Sequence, residues 1–286
     1  MRVISSLRAL ERWRSTVLRR NKRIGFVPTM GALHAGHVSL MQRARRQCDI
    51  VVVSLFVNPL QFGPSEDLSR YPRTYQADRQ ACLKAGVNVL FVPDGKEFYP
   101  QAFQTTVTVD RLTQRWEGAV RPTHFQGVTI VVTKLLNLVR PHLAYFGQKD
   151  YQQYVVIEQM VEDLNMPVKI VRCPTVREAD GLALSSRNRF LGKDERRQST
   201  LLYHALSAGQ KCIAGGERSG VKIQKAMAKV FQKQQNVSID YLAVCDSQIL
   251  EPLKRVDGQA VLLGAIRIGT VRLIDNLLVR IPSRAS

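Results

Sequence analysis

The chain is expected to fold as an α/β protein: a doubly wound, Rossmann-like parallel sheet followed by a smaller C-terminal α+β domain. Three observations predict this. Strand-like and helix-like segments alternate through the first 175 residues. One of the strands, 50–57 (IVVVSLFV), is almost continuously apolar and β-branched, as a strand covered on both faces must be. After residue 176 the alternation stops, and helices are followed by a run of short strands.

Taken in order, Leu7, Leu10, Trp13 and Val17 recur at helical spacing near the N-terminus. Glu11 interrupts the basic run there, which argues for a folded helix and against an arginine-rich transit segment. Residues 24–27 read as a strand stopped by Pro28. Residues 36–47 read as a helix with Val38, Leu40, Met41 and Ala44 as its apolar stripe, and 50–57 as the next strand. The pattern repeats as helix 74–85, strand 87–92, helix 127–139, strand 142–146, helix 150–164 and strand 168–172. Beyond the change of texture, 193–214 and 220–234 read as helices, and 238–244, 259–267 and 270–273 as strands. The domain boundary is expected near 175–190, giving domains of 1–180 and 181–286.

Composition narrows the class. A length of 286 residues with 45% hydrophobic content suits one large or two unequal globular domains. No apolar run reaches the roughly 20 residues that cross a bilayer, so no membrane partner is expected. The five cysteines (Cys48, Cys82, Cys173, Cys212 and Cys245) are scattered and form no C-x-x-C pair. That argues against a disulfide framework or zinc site and for a reducing, cytoplasmic setting. The net charge of +19 raises a nucleic-acid reading. The basic residues are spread along the chain and form only short pairs, so no specific nucleic-acid partner is expected.

Four segments carry candidate chemistry. Val27 to His37 (VPTMGALHAGH) sits where the first of the 24–57 strands turns into a helix, the ligand edge of an open α/β sheet. Backbone N–H groups there favour phosphate, and Gly31 and Gly36 permit close approach. His34 and His37 can each donate to phosphate oxygens and stabilise developing charge; without further nearby ligands they do not read as a metal pair. Asn58 and Gln61, after the next strand, are neutral amides among apolar groups and suit a small ligand with hydroxyl and carboxylate groups. In FGQKDYQQ (146–153), Lys149 offers a point charge to phosphate, Asp150 an acceptor for ribose hydroxyls, and Gln153 lies one turn further on. Ser185, Ser186 and Arg187, near the domain boundary, form a phosphate clamp. Asp78 is a candidate Mg²⁺ ligand through water. Neither a P-loop motif nor a G-x-S-x-G elbow is present.

Together these segments resemble the pantoate–β-alanine ligase (pantothenate synthetase) family, of the nucleotidyltransferase-like α/β group. The resemblance runs from Pro28-Thr29-Met30-Gly31 and His34 to His37 through Asn58-Pro59-Leu60-Gln61-Phe62, Tyr71-Pro72-Arg73, His124 to Val128, Phe146 to Gln153 and Asp180 to Asn188, and ends in Arg272-Leu273-Ile274-Asp275-Asn276. It implies ATP-dependent joining of pantoate and β-alanine through a pantoyl adenylate, with Mg²⁺ accompanying the nucleotide and no tightly bound organic cofactor. His37, His34, Lys149 and Arg187 are the catalytic residues it implies. It adds Met30, Gly31, Gly147, Asp150, Val176, Leu184, Ser185 and Ser186 to the ATP site, and Gln61, Gln153 and Asn58 to the substrate site. A homodimer is implied, as are nucleotide and pantoate binding by residues 1–180 and a lid-like role for 181–286. Two positions depart from the family pattern: Ala35 stands where an acidic residue is common, and Gln148 where glutamate is frequent. The rival expectations are an adenylyl-transferring enzyme acting on a phosphate substrate, and a nucleic-acid-binding protein that kept the fold without catalysis.

Overall fold

The computed structural model describes residues 1–18, 20–64, 66–232 and 234–281. The chain divides into two compact units, Met1–Gly147 with Val156–Pro174, and Gln148–Val155 with the chain from Thr175 on. Each has its own core.

In the first unit, β1 (Arg2–Ile4), β2 (Ile24–Thr29), β3 (Ile50–Leu55), β4 (Val89–Phe91), β5 (Leu143–Gly147) and β6 (Lys169–Cys173) form a parallel sheet in the order β1-β4-β3-β2-β5-β6. The chain builds outward from β2 to β4 and then returns to the other side of β2 for β5 and β6. The change of direction, between β2 and β5, is the place where an open α/β sheet leaves a crevice at its carboxyl edge. β2 and β3 run in register from Ile24↔Ile50 to Thr29↔Leu55. The connecting helices are α1 (Leu7–Leu18), α2 (Ala35–Gln47), α3 (Tyr75–Lys84), the one-turn α4 (Gly95–Phe98) and α5 (Glu117–Val120), α6 (His124–Val139) and α7 (Tyr151–Asp163), which belongs to this unit from Val156 on. Val27, Met41, Ala44, Val51, Val53, Leu90 and Tyr145 pack in its core. The strand β1 was not legible in the sequence. It is three residues long and buries only Ile4, too short to show a period.

The second unit carries α8 (Lys193–Gln198), α9 (Leu201–Ala214), α10 (Gly220–Lys229) and an antiparallel sheet of β7 (Val237–Asp246), β8 (Gln259–Ile268) and β9 (Val271–Arg280) in that order. Of the expected helical stretch 220–234, residue 233 lies outside the described residues. The single helix expected over 193–214 is two. At the break, the Ser199 hydroxyl donates to the Arg196 carbonyl and the Thr200 hydroxyl to the Arg197 carbonyl, and such side chains compete with the helical ladder. β9 runs well past the expected 270–273, because Asp275 and Asn276, which interrupt the apolar pattern, find buried partners. Among the described residues, no helix is long and apolar enough to cross a membrane.

Leu206 on α9 is fully buried in the second core with Leu202, Ile223, Met227 and Leu262. Leu206→Ala is expected to destabilise this unit by about 2–5 kcal/mol. Urea unfolding followed by circular dichroism checks it; a loss below about 1 kcal/mol would contradict the packing described.

Candidate active site

The loop between β2 and α2 is built around one carboxylate. Gly31 (φ 85°) and Ala32 (φ 51°) both have positive φ, which reverses the chain at the end of β2 and costs about 1–2 kcal/mol at the alanine. Asp78 on α3 holds the reversal. Its Oδ2 accepts from Ala32 N (3.0 Å) and its Oδ1 from Leu33 N (2.8 Å), and Thr74 Oγ1 donates to Oδ2 (3.1 Å). A β-carbon at Gly31 would stand 3.0 Å from Asp78 Oδ2. On the other side, Thr29 Oγ1 donates to the Ser54 carbonyl at 2.7 Å and accepts from Gly31 N at 3.3 Å.

Asp78 is therefore placed otherwise than as a Mg²⁺ ligand. It is 3% exposed and its oxygens serve the turn, so no face meets a hydrated cation. Among the described residues, no group of three His, Cys, Asp or Glu could hold a metal.

The reversal delivers His34 to the N-cap of α2. The two histidines then cap the helix with their rings: His34 Nδ1 accepts from Gly36 N at 3.2 Å, and His37 Nδ1 accepts from His34 N at 3.3 Å. The ring centroids lie 4.1 Å apart. A nitrogen that accepts carries no proton, so the backbone assigns both rings the Nε2–H tautomer. Both are thus donors at a helix N-terminus, where N–H groups already favour anions. A β-carbon at Gly36 would approach the His34 ring at 2.9 Å, so a larger residue there would have to displace that ring. Ala35 is exposed, and the capping bonds use only backbone and the two rings. Gly147 ends β5, on the other side of the switch point. Apart from its chain neighbours, no heavy atom among the described residues lies within 4 Å of where a β-carbon at Gly147 would stand.

Asn58 and Gln61 follow β3, in and before a 3-10 turn over Pro59–Gln61. Both are buried, Asn58 at 1% exposure. Asn58 Nδ2 donates to Gln61 Oε1 (3.1 Å) and to the Gly127 carbonyl (2.9 Å). Gln61 Nε2 points to Met30 Sδ at 3.0 Å, so Met30, Asn58 and Gln61 are brought together. α6 closes on this turn so tightly that a β-carbon at Gly127 would sit 2.2 Å from the Leu60 carbonyl oxygen.

The RPTHF segment (121–125) braces the same turn. His124 Nδ1 faces the Gln61 carbonyl at 3.0 Å, and its Nε2 faces Arg121 Nη1 at 3.3 Å. Arg121 also donates to the Gln61 carbonyl (3.2 Å) and pairs with both Glu66 oxygens at 2.8 and 2.5 Å. A carbonyl accepts and a guanidinium donates, so His124 is the neutral Nδ1–H tautomer. Burial, reinforced by Arg121, lowers its pKa to about 4.

In the second unit, Lys149 and Asp150 form an ion pair at 3.1 Å, and the carbonyls of Gln148 and Lys149 accept from Asn276 Nδ2 at 2.8 and 2.9 Å. Gln148 Nε2 donates to Asn276 Oδ1 at 3.3 Å. Gln153 lies half-buried one turn along α7. The 175–188 segment is a hairpin-like loop, closed by Leu184 N to the Val176 carbonyl (3.0 Å) and Glu178 N to the Leu182 carbonyl (2.8 Å). Arg177 anchors it, with bidentate bonds to Asp275 at 2.6 and 2.9 Å and a bond to the Gly181 carbonyl at 3.0 Å. Burial raises the Asp275 carboxyl, against the pull of Arg177. Beyond the loop, Ser185 Oγ caps a 3-10 turn over Ser186–Phe190 by accepting from Arg187 N at 3.3 Å. Ser185, Ser186 and Arg187 are half-buried. Sequence reasoning missed Arg177 and gave Asp275-Asn276 no role of their own. Their role is to join two segments far apart in sequence, which no local pattern shows.

A parallel sheet with neutral imidazole donors at its switch-point helix, and buried amides beside them, places the protein in the doubly wound α/β class with hydrogen-bond donors set at the ligand edge. The particular family follows from likeness to known proteins. Residues 2–278 match the family described as pantoate-beta-alanine ligase. The pantothenate synthetase of Heliobacterium modesticaldum is 48% identical over 98% of this chain and 100% of its own length. That of Thermotoga neapolitana is 47% identical over 97% and 99%. The crystal structure of pantothenate synthetase from Thermus thermophilus superposes with a TM-score of 0.92 at 47% identity, covering 97% of this chain and 99% of that one. The pantoate–β-alanine ligase of Francisella tularensis, complexed with beta-gamma ATP and β-alanine, gives 0.81 at 34% identity, covering 97% of each. The chain belongs to the pantoate–β-alanine ligase family of enzymes.

Two outcomes follow from the geometry. Asp78→Ala removes three hydrogen bonds from the turn and is expected to cost about 2–3 kcal/mol along with activity. Raising Mg²⁺ should restore none of the activity; restoration would return Asp78 to the metal. For His124, the folded pKa of about 4 lies below the ordinary 6.5. The unfolded chain therefore binds the extra proton first as pH falls. Stability is expected to drop progressively from pH 6.5 toward pH 4, by about 3 kcal/mol at the lower end. His124→Gln should flatten that part of the stability–pH curve; parallel curves for the two proteins would contradict the neutral assignment.

Proposed function

We propose that the protein condenses pantoate with β-alanine at the expense of ATP. A pantoate carboxylate oxygen attacks the α-phosphorus, the bond to the β-phosphate bridging oxygen breaks, and pyrophosphate leaves with the electron pair. The β-alanine amine then attacks the acyl carbon of the adenylate, the C–O bond to AMP breaks, and the amine proton passes to solvent, giving pantothenate and AMP. The observation that carries this reading is the pair of Nε2–H donors, His34 and His37, at the switch-point helix of a chain that matches the ligase family nearly end to end. Two donors held in place by the backbone stabilise charge developing on the transferring phosphate without reorganising.

The remaining roles rest on the family resemblance. Lys149, Ser185, Ser186 and Arg187 hold phosphates; Met30, Gly31, Gly147, Asp150, Val176 and Leu184 line the nucleotide; Gln61, Gln153 and Asn58 bind pantoate. Mg²⁺ enters on the ATP phosphates, where water and phosphate oxygens satisfy it, and Asp78 is not needed to hold it. Nucleotide and pantoate binding by residues 1–180, a lid-like part for 181–286, a homodimeric state and a cytoplasmic setting belong to the same reading. Apart from its substrates and its own second copy, no membrane or specific nucleic-acid partner is part of it.

Purified protein with Mg·ATP and pantoate is expected to release pyrophosphate in stoichiometric amount, and continuous AMP release should require β-alanine. His37→Ala should lower adenylate formation by about a hundredfold or more. It should cost only about 1 kcal/mol of stability, for the lost cap bond. Near-normal turnover in that variant would remove His37 from the mechanism. Salt-sensitive nucleic-acid binding with no pyrophosphate would overturn the ligase reading altogether.

A further inference from the structure

Tyr99 follows α4 and has no place in the roles above, yet its hydroxyl ends a hydrogen-bond chain that reaches Gln61. Tyr99 Oη donates to Asn58 Oδ1 at 3.0 Å, and Leu60 N donates to the same oxygen at 3.3 Å. On its other end, Asn58 Nδ2 donates to the Gly127 carbonyl at 2.9 Å and to Gln61 Oε1 at 3.1 Å. Turning the Asn58 amide over would set its NH₂ against two donors and its oxygen against a carbonyl, so the orientation is determined by its neighbours. Gln61 is determined in turn. Its oxygen is taken by Asn58, and its NH₂ is left to Met30 Sδ at 3.0 Å. A thioether is a weak acceptor that a ligand oxygen displaces at little cost.

From this geometry we infer that Tyr99 is a positioning and specificity residue: through Asn58 it sets the polarity of Gln61, so that the substrate group met there has to be a hydrogen-bond acceptor. The inference rests on the reading of Gln61 as a pantoate ligand. It assigns the site a preference for oxygen acceptors, the hydroxyl and carboxylate oxygens of a hydroxy acid, over an ammonium in the same position. An ammonium has only donors to offer and would face the Gln61 NH₂ unpaired. Burial raises the Tyr99 phenol, keeping it an O–H donor across the working range. The ring itself is held by Phe56, Phe98 and Phe103, with Lys134 over it at 5.8 Å, so removing the hydroxyl alone leaves the packing in place.

The test compares Tyr99→Phe, Gln61→Ala and the double variant by steady-state kinetics and thermal unfolding. Tyr99→Phe is expected to raise the pantoate KM about tenfold, the effect of one lost hydrogen bond. The ATP KM should stay within about twofold. In the Gln61→Ala background the same change should add nothing, because the group it orients is gone. If Gln61→Ala raises the pantoate KM but Tyr99→Phe does not, or adds its full factor on top of Gln61→Ala, the chain from Tyr99 is overturned and the ligase reading stands. If both ligands' KM values rise together with a lowered unfolding midpoint, Tyr99 is merely structural and the proposal falls. If Gln61→Ala spares the pantoate KM, the placement of Gln61 fails and the proposal falls with it.

Discussion

The geometry of the first unit depends on the Asp78 carboxylate. The chain leaves β2 through two consecutive residues of positive φ, one of them an alanine, a conformation that persists only when its surroundings hold it. Asp78 holds it with two backbone N–H bonds from a helix 46 and 45 positions along the chain. Because the reversal is sharp, α2 begins a few residues beyond β2 with His34 as its N-cap. The imidazoles and the helix N-terminus thereby come to the carboxyl edge of the sheet together. In the proposed reaction the transferring phosphate would meet donors already in position, which is where electrostatic catalysis gains over the same groups in water.

A second pattern runs through the site. The direction in which each polar side chain can donate is decided by a neighbour that has no choice. Backbone N–H groups make His34 and His37 donors at Nε2. A backbone carbonyl and a guanidinium make His124 a neutral donor at Nδ1. A carbonyl, an amide N–H and the Tyr99 hydroxyl together orient Asn58, which orients Gln61. In a buried setting the wrong polarity costs a desolvated, unpaired group. Such chains therefore make a site selective without adding charge, which suits an enclosed intermediate that water would destroy. The second unit uses the same device at its own loop. Arg177 and Asp275 lock the 175–188 hairpin, while Asn276 holds the carbonyls of the 148–149 turn, so both segments are tied to one β-strand.

Much of the architecture was legible in the amino-acid order. Alternating patterns marked β2 through β6 and the longer helices α2, α3, α6 and α7, because a strand covered on both faces has to be apolar throughout and a helix packed on one face shows its stripe; the one-turn α4 and α5 were too short to show one. The place of the Gly31, His34, Gly36 and His37 cluster, between the end of β2 and the start of α2, was legible as well, because the strand and the helix stripe on either side of it were. What was not legible was short or non-local. β1 buries one side chain, the Ser199-Thr200 break depends on hydroxyls bonding back to the helix, and β9 conceals two buried polar residues that a periodic reading takes as its end.

By itself, then, the amino-acid order determined the fold class, which follows from side-chain type and spacing along the chain, and its motifs carried the resemblance to the family. Only the tertiary structure decided what several of those residues do. Asp78, a candidate cation ligand by sequence, is met by two amides of a distant turn; Arg121 and His124 converge on the Gln61 carbonyl, and Tyr99 on Asn58, which holds the Gln61 side chain. The reason is that the donor or acceptor role of a buried polar group is set by whichever partner reaches it in space, and spacing along a chain carries no record of that partner.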